Sequence, residues 1–343
     1  MGLFGRGAGA VHTDPTPLAG IDVLLADLDG VVYAGERAID HAADALSRAA
    51  DEGIRVGYIT NNASRTPVAV AEQLRGFGLQ LEPDDVVTSP QAAVELLREL
   101  VPAGATILVI GGERLTSEVA PAGFTVTASA LDRPAAVVQG FHPSVGWVHL
   151  AEASYAIRDF GIPWIATNQD WTIPQTRGIA PGNGTLVSAV HTAVGILPIV
   201  AGKPERAIFD TAIARFGAAS PLMIGDRLDT DIAGANRAGL PSVAVLTGID
   251  GPKQLLAAIP AERPTFILDH LGQLFEPYAL PVQEGATTTV GSAVLRLDGD
   301  RIIVESPGAT HTELLRAGCA LIWGSGRQIY GFEVPDQLWN PTT

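Results

Sequence analysis

Asp27-Leu28-Asp29-Gly30 places two carboxylates two positions apart, directly after the apolar run Val23-Leu24-Leu25-Ala26. Such a run reads as a buried parallel strand, and the carboxyl ends of these strands are where an open α/β sheet gathers its chemistry. Positions two apart in a strand point the same way, so Asp27 and Asp29 share one face if strand geometry persists, whereas Gly30 marks a chain already turning. Alone, a D-x-D-G pair reads first as a turn or cap. Three further strand ends shift the balance towards chemistry. Arg55 to Thr60 delivers Thr60, Asn61 and Asn62 ahead of a helical stretch, where a hydroxyl and backbone N–H groups can hold an anion. Pro198 to Ala201 delivers Gly202-Lys203-Pro204. Pro221 to Ile224 delivers Gly225-Asp226, with Asp229 and Asp231 in the following turn, and carboxylates clustered at a strand end suit a hard divalent cation such as Mg²⁺.

The elements that must position these residues alternate: strand 22–27, helix 39–52, strand 55–60, helix 66–77. That alternation predicts a parallel sheet covered on both faces. Leu81-Glu82-Pro83-Asp84-Asp85 is a natural exit into an insert with strands at 106–110, 135–139 and 163–166 and helices near 91–100, 145–160 and 185–194. The first sheet is expected to resume at Pro198 and to end near 266–268. Two later runs, 292–297 and 301–305, flank Asp298-Gly299-Asp300, a hairpin signal, and a helical stretch over 312–323 follows. The expected organisation is a flexible arm over 1–19, a catalytic core over 20–82 and 198–276, an inserted domain over 83–197, and a small α+β appendage of β-β-α form over 277–343. The appendage is similar to a fragment of an acetyltransferase fold but is too short for a complete one and lacks a Gly-rich pyrophosphate loop; a docking or dimerisation role is the alternative.

A net charge of −15, from 37 acids against 22 Lys and Arg, argues against nucleic-acid or anionic-membrane partners and for small molecules. A lone cysteine, Cys319, excludes an intramolecular disulfide and reads as a buried structural thiol. No run reaches the length of a membrane span, and the opening residues lack the apolar core of a signal peptide, so the expected location is the cytoplasm.

In order, D-x-D-G, Thr60-Asn61-Asn62, Gly202-Lys203-Pro204 and the G-D-x-x-x-x-D of Gly225 to Asp231 resemble the four motifs of the haloacid dehalogenase-like phosphatases. The insert, with Ala166-Thr167-Asn168-Gln169-Asp170 and Pro181-Gly182-Asn183-Gly184, looks like the type C2 cap of the subgroup holding phosphoglycolate, glycerol-3-phosphate and nucleotide-monophosphate phosphatases. The resemblance covers residues 20–276 and implies an α/β fold, a Rossmann-like doubly wound parallel sheet carrying a C2 cap. It implies Mg²⁺-dependent hydrolysis of a small phosphate monoester through an aspartyl-phosphate, with glycerol 3-phosphate or 2-phosphoglycolate first and nucleotide monophosphates or sugar phosphates next. Asp27 would be the nucleophile and Asp29 the general acid and base. The metal would be held by Asp27, the Asp29 carbonyl and Asp226, with Asp231 orienting the ligands from behind or capping its helix. Thr60, Asn61, Asn62 and Lys203 would receive the phosphate oxygens, and Arg177, in a cap loop with Asn168, Asp170, Trp171, Gln175, Thr176 and Gly178, would meet the rest of the substrate, a solvent-facing side chain being the alternative. Trp171 is expected to pack within the cap. The non-enzyme alternative is a phosphate-ligand sensor or a scaffold with a partner-binding tail, against which the intact acids at 27, 29 and 226 argue. Self-association would use the cap or the appendage.

Overall fold

The computed structural model describes residues 14–63, 65–175 and 177–340. They divide into two compact units, one made of residues 21–251 and 258–271, the other of residues 14–20, 252–257 and 272–340.

The first unit is built on a six-stranded parallel sheet in the order Phe266–Leu268, Ser242–Val245, Pro221–Gly225, Val23–Ala26, Arg55–Thr60, Val86–Thr88. All four residues of Val23–Ala26 are buried, as expected of an inner strand with neighbours on both sides. The chain extends the sheet from this strand to one side and later returns to extend it on the other. The gap between Val23–Ala26 and Pro221–Gly225 is therefore the topological switch point, where ligands of open α/β sheets sit.

Two short strands fall elsewhere than the sequence suggests. Val86–Thr88 pairs with Arg55–Thr60 (Tyr58↔Val86), so this sheet continues past the exit read at Leu81–Asp85. Ile199–Val200 pairs with Trp164–Ala166 instead of reopening the first sheet. It forms the edge of a second parallel sheet, ordered Ile199–Val200, Trp164–Ala166, Ala136–Gln139, Thr106–Ile110, Thr125–Thr127. One apolar cluster runs from Leu25 and Ile59 through Leu97 and Phe209 to Ile107 and Ile165, joining the two sheets. Each such fully buried side chain contributes about 1.5–3 kcal/mol. A second cluster gathers Leu108, Ile110 and Val137 with residues of the helices Trp147–Phe160 and Asn183–Val194. Thr172–Gln175 and Gly178–Pro181 form a separate antiparallel hairpin.

The second unit has four antiparallel strands where the sequence suggested two: Val282–Glu284, Thr287–Val290, Ala293–Asp298 and Arg301–Pro307, in consecutive order. Helix His311–Gly324 packs on them and buries Leu314, Leu315, Cys319, Leu321 and Ile322. Pro252–Ala257 joins this unit, with Leu255 and Leu256 buried and the Leu255 carbonyl accepting the Trp323 indole N–H at 3.2 Å. The end of the expected arm is also held here. The Pro15 carbonyl accepts Tyr278 N–H at 3.0 Å and Leu18 is buried, while residues 1–13 lie outside the described residues. Among the described residues no helix is long and apolar enough to cross a membrane.

Candidate active site

The strand register brings the singled-out residues to one edge. Ala26 lies level with Ile224 and Tyr58, so Asp27, Asp226 and Thr60 all emerge at the carboxyl ends of adjacent strands. One carboxylate oxygen from each of Asp27, Asp226 and Asp231 lies within 4.8 Å of the others. Lys203 reaches this edge from the loop after Ile199–Val200, and its Nζ stands 2.6 Å from Asp27 Oδ1 and 2.7 Å from Asp231 Oδ1. Asp231 arrives on a wide, π-type turn over Leu228–Ile232, and its Oδ2 accepts the backbone N–H groups of Asp226 and Arg227 at 3.2 and 3.1 Å. Gly30 has φ +82, and a Cβ there would lie 2.2 Å from Asp226 Oδ2; both facts require glycine at the turn after Asp29.

Asp27, Asp226 and Lys203 are almost fully desolvated, and burial and neighbouring charges displace their ionisation. Burial pushes the Asp27 carboxyl up to about 8; the Lys203 ammonium opposes this, and Asp231 and Asp226 reinforce it. Burial and the Asp231 charge push Asp226 up to about 6. Burial alone would pull Lys203 down, but the Asp231 and Asp27 carboxylates prevail and hold its ammonium above the ordinary lysine range. Asp226 also carries an unmatched atom. Its Oδ2 accepts Ile249 N–H at 2.8 Å, whereas its buried Oδ1 has no hydrogen-bond partner. A buried carboxylate oxygen normally has a partner, and hard oxygen donors converging on excess negative charge suit Mg²⁺ or Ca²⁺. The residues fit such an ion: Asp27 and Asp226 would be direct donors, while Asp231 forms an ion pair with Lys203 and accepts backbone N–H groups through Oδ2.

The other expected site residues divide. Thr60 is buried, its hydroxyl accepting Asn62 N–H at 3.1 Å. Both side-chain atoms of Asn61 are engaged by protein: Oδ1 accepts Lys203 N–H at 2.7 Å, and Nδ2 donates to the Lys203 carbonyl at 3.0 Å and to Asp170 Oδ1 at 3.2 Å. Asp29 stands at the rim with an exposed surface. Surrounding protein pushes its carboxyl up, an effect that its own exposure limits. Arg177 is exposed in the turn between Thr172–Gln175 and Gly178–Pro181, outside the hydrogen-bonded constellation, and Thr176 lies outside the described residues. Trp171, expected to pack within the insert, is 65% exposed.

Two residues at the rim escaped the sequence reading. Tyr33 donates its hydroxyl to Asp29 Oδ2 at 3.4 Å, and the positive charge of Arg65 opposes the rise at Asp29. Tyr33 gives no signal beyond standing four residues past Asp29, after Gly30-Val31-Val32; Arg65 stands in a segment read only as a helix approach.

Comparison with known proteins agrees with this geometry. A model described as haloacid dehalogenase-like hydrolase matches residues 24–125, and a HAD-hydrolase-like model matches 200–274. A D-glycerol 3-phosphate phosphatase of Mycobacterium tuberculosis is 41% identical over 309 residues, 88% of this chain and 86% of that protein. The chain belongs to the haloacid dehalogenase-like hydrolases. The glycerol-3-phosphate phosphatase of Gallus gallus is 39% identical over 254 residues, covering 68% of this chain and 81% of that protein. Among solved structures, the glycerol phosphate phosphatase of M. tuberculosis in complex with magnesium superposes with a TM-score of 0.81 at 38% identity, covering 91% of this chain and 93% of that one. An overlap of that extent includes part of the four-stranded unit, so the likeness within the family extends beyond the 20–276 span of the motifs.

Proposed function

We propose that this hydrolase is a Mg²⁺-dependent phosphatase of small phosphorylated metabolites, acting in the cytoplasm, with glycerol 3-phosphate as its first substrate and 2-phosphoglycolate next. The observation that carries the reading is the Asp27–Lys203–Asp231 chain beside Asp226, whose Oδ1 lacks a partner. The names of the relatives in M. tuberculosis and Gallus gallus support the choice of ester.

Phosphate monoesters resist hydrolysis because the nucleophile must approach an anion. Asp27, the Asp29 carbonyl and Asp226 would hold Mg²⁺, which when bound would supply charge neutralisation at the phosphate. Asp27 attacks phosphorus through the carboxylate oxygen not bound to Lys203, forming an aspartyl-phosphate as the ester oxygen departs. Lys203 donates a hydrogen bond to Asp27, forms an ion pair with Asp231 and has a further N–H for a phosphate oxygen. Thr60 and the backbone N–H groups of Asn61 and Asn62 take the remaining oxygens. Asp29 gives its proton to the leaving alkoxide and then removes one from the water that releases phosphate. The upward displacement of its carboxyl favours the protonated form that the first step uses. Arg177 meets the far end of the substrate from the hairpin turn, and self-association runs through the inserted sheet or the C-terminal unit.

Phosphate release from a panel containing glycerol 3-phosphate, 2-phosphoglycolate, nucleotide monophosphates and sugar phosphates, with Mg²⁺ and with a chelator, tests the reading. The expected result is metal-dependent release that is fastest with glycerol 3-phosphate. Release unaffected by the chelator would remove the metal from the mechanism.

A further inference from the structure

The signature Pro181-Gly182-Asn183-Gly184 has no task in the chemistry above, and the fully engaged Asn61 amide shows where it acts. Asn61 Oδ1 and Nδ2 pair with the N–H and the carbonyl of Lys203, bracketing that residue's main chain as a neighbouring strand would. The second Nδ2 hydrogen goes to Asp170 in the inserted segment, and the Asn61 carbonyl accepts Asn168 Nδ2 and Ser89 Oγ, each at 2.8 Å. Asn168 and Asp170 are themselves seated by the glycine-rich segment. Asn183 Nδ2 donates to the Asn168 carbonyl at 2.8 Å and Gly184 N–H to the Asp170 carbonyl at 3.0 Å. A Cβ at Gly184 would stand 2.4 Å from the Gln169 carbonyl oxygen, and one at Gly182 2.1 Å from that of Asp170, so any larger residue would displace the loop.

We propose that Asn61 and Asp170 form a latch: seating the Asn168–Asp170 loop against Asn61 fixes the Lys203 main chain, and through it the ammonium that bridges Asp27 and Asp231. Asn61 and Asp170 are thus positioning residues, and the inserted segment acts on the chemical step as well as on substrate choice. This inference rests on the phosphatase reading for its kinetic consequence but not for its structural one. Hydrogen bonds to a charged group are worth about 1.5–3 kcal/mol, which corresponds to roughly 10- to 150-fold in rate if the loss falls on the chemical step.

The test is a cycle of Asn61→Ala, Asp170→Ala and the double variant, with Asp170→Asn as the conservative control because its amide oxygen still accepts from Asn61. Turnover of p-nitrophenyl phosphate with Mg²⁺ is measured alongside hydrogen–deuterium exchange of the Lys203 amide in ligand-free protein. With the latch, Asp170→Ala lowers kcat roughly 10-fold or more at nearly constant KM, Asp170→Asn recovers most of it, and the double variant is no slower than Asn61→Ala. Exchange at Lys203 quickens in both alanine variants. Multiplicative losses in the cycle, or Lys203 exchange unchanged by Asp170→Ala, would overturn the latch. If the unaltered enzyme releases no phosphate from any ester, the phosphatase reading fails while the exchange experiment still decides the latch.

Discussion

Replacing Asp226 by Asn should abolish turnover yet make the metal-free protein more stable. Asp226 is 2% exposed, one of its oxygens lacks a hydrogen-bond partner within the protein, and its carboxyl is pushed from 3.8 to about 6. At 1.36 kcal/mol per pH unit, holding it ionised costs up to about 3 kcal/mol. Asn keeps an oxygen for Ile249 N–H and turns an NH₂ donor, in place of the orphaned oxygen, towards neighbouring carboxylates. The sign follows from proton binding. Between about pH 4 and pH 6 the folded protein holds a proton on Asp226 that the unfolded chain has released, so wild-type stability falls as pH rises through that window. The variant escapes this loss. Its advantage should therefore be small at pH 4, grow to pH 6 and remain level above. For a unit of this size about 3 kcal/mol corresponds to roughly 6–12 °C in melting temperature, an upper value. Melting curves at several pH values, in chelator and in Mg²⁺, provide the assay. Mg²⁺ should raise the wild-type midpoint by mass action and leave the variant nearly unmoved. A variant that melts below wild type at pH 8 in chelator, or gains as much from Mg²⁺, would refute the view that Asp226 is a destabilising charge awaiting a cation.

Asp29→Asn should slow both formation and hydrolysis of the phospho-enzyme, with larger losses for glycerol 3-phosphate than for p-nitrophenyl phosphate because an alkoxide needs the proton more; equal losses on both substrates would deny it the acid role. Arg177→Ala should raise KM for glycerol 3-phosphate several-fold and spare p-nitrophenyl phosphate, and steady-state kinetics on both esters decide whether this exposed side chain meets substrate. Truncation after Phe275 removes the helix that covers Leu255 and Leu256, so melting should begin at lower temperature or the solution mass should rise; calorimetry and light scattering that match the full chain would show that those leucines find other cover.

Asp27 and Asp226 were legible because each closes an apolar run read as a strand of the first sheet, and a parallel strand's carboxyl end fixes where its next residue stands. Thr60 was legible for the same reason. Lys203 was legible instead from Gly202-Lys203-Pro204 and its order among the motifs. The membership of Val86–Thr88 and Ile199–Val200 was not, since strands of three and two residues carry no periodicity and their sheet is set by the partner they meet. The two extra strands of the C-terminal unit were hidden likewise: Val282–Glu284 is exposed at all three positions and offers no alternation of apolar and polar residues. At the site, sequence supplied the acids but not their dispositions. Asp231 is drawn into full burial by the wide turn before it, and Asn61 is spent on partners 109 and 142 residues away. Local chemistry, strand ends and motif order therefore determined the fold class and the candidate site groups. The tertiary structure alone decided which groups displace one another's ionisation, which lack a partner and which hydrogen-bond the Lys203 main chain, because those properties depend on distances between segments remote in the chain.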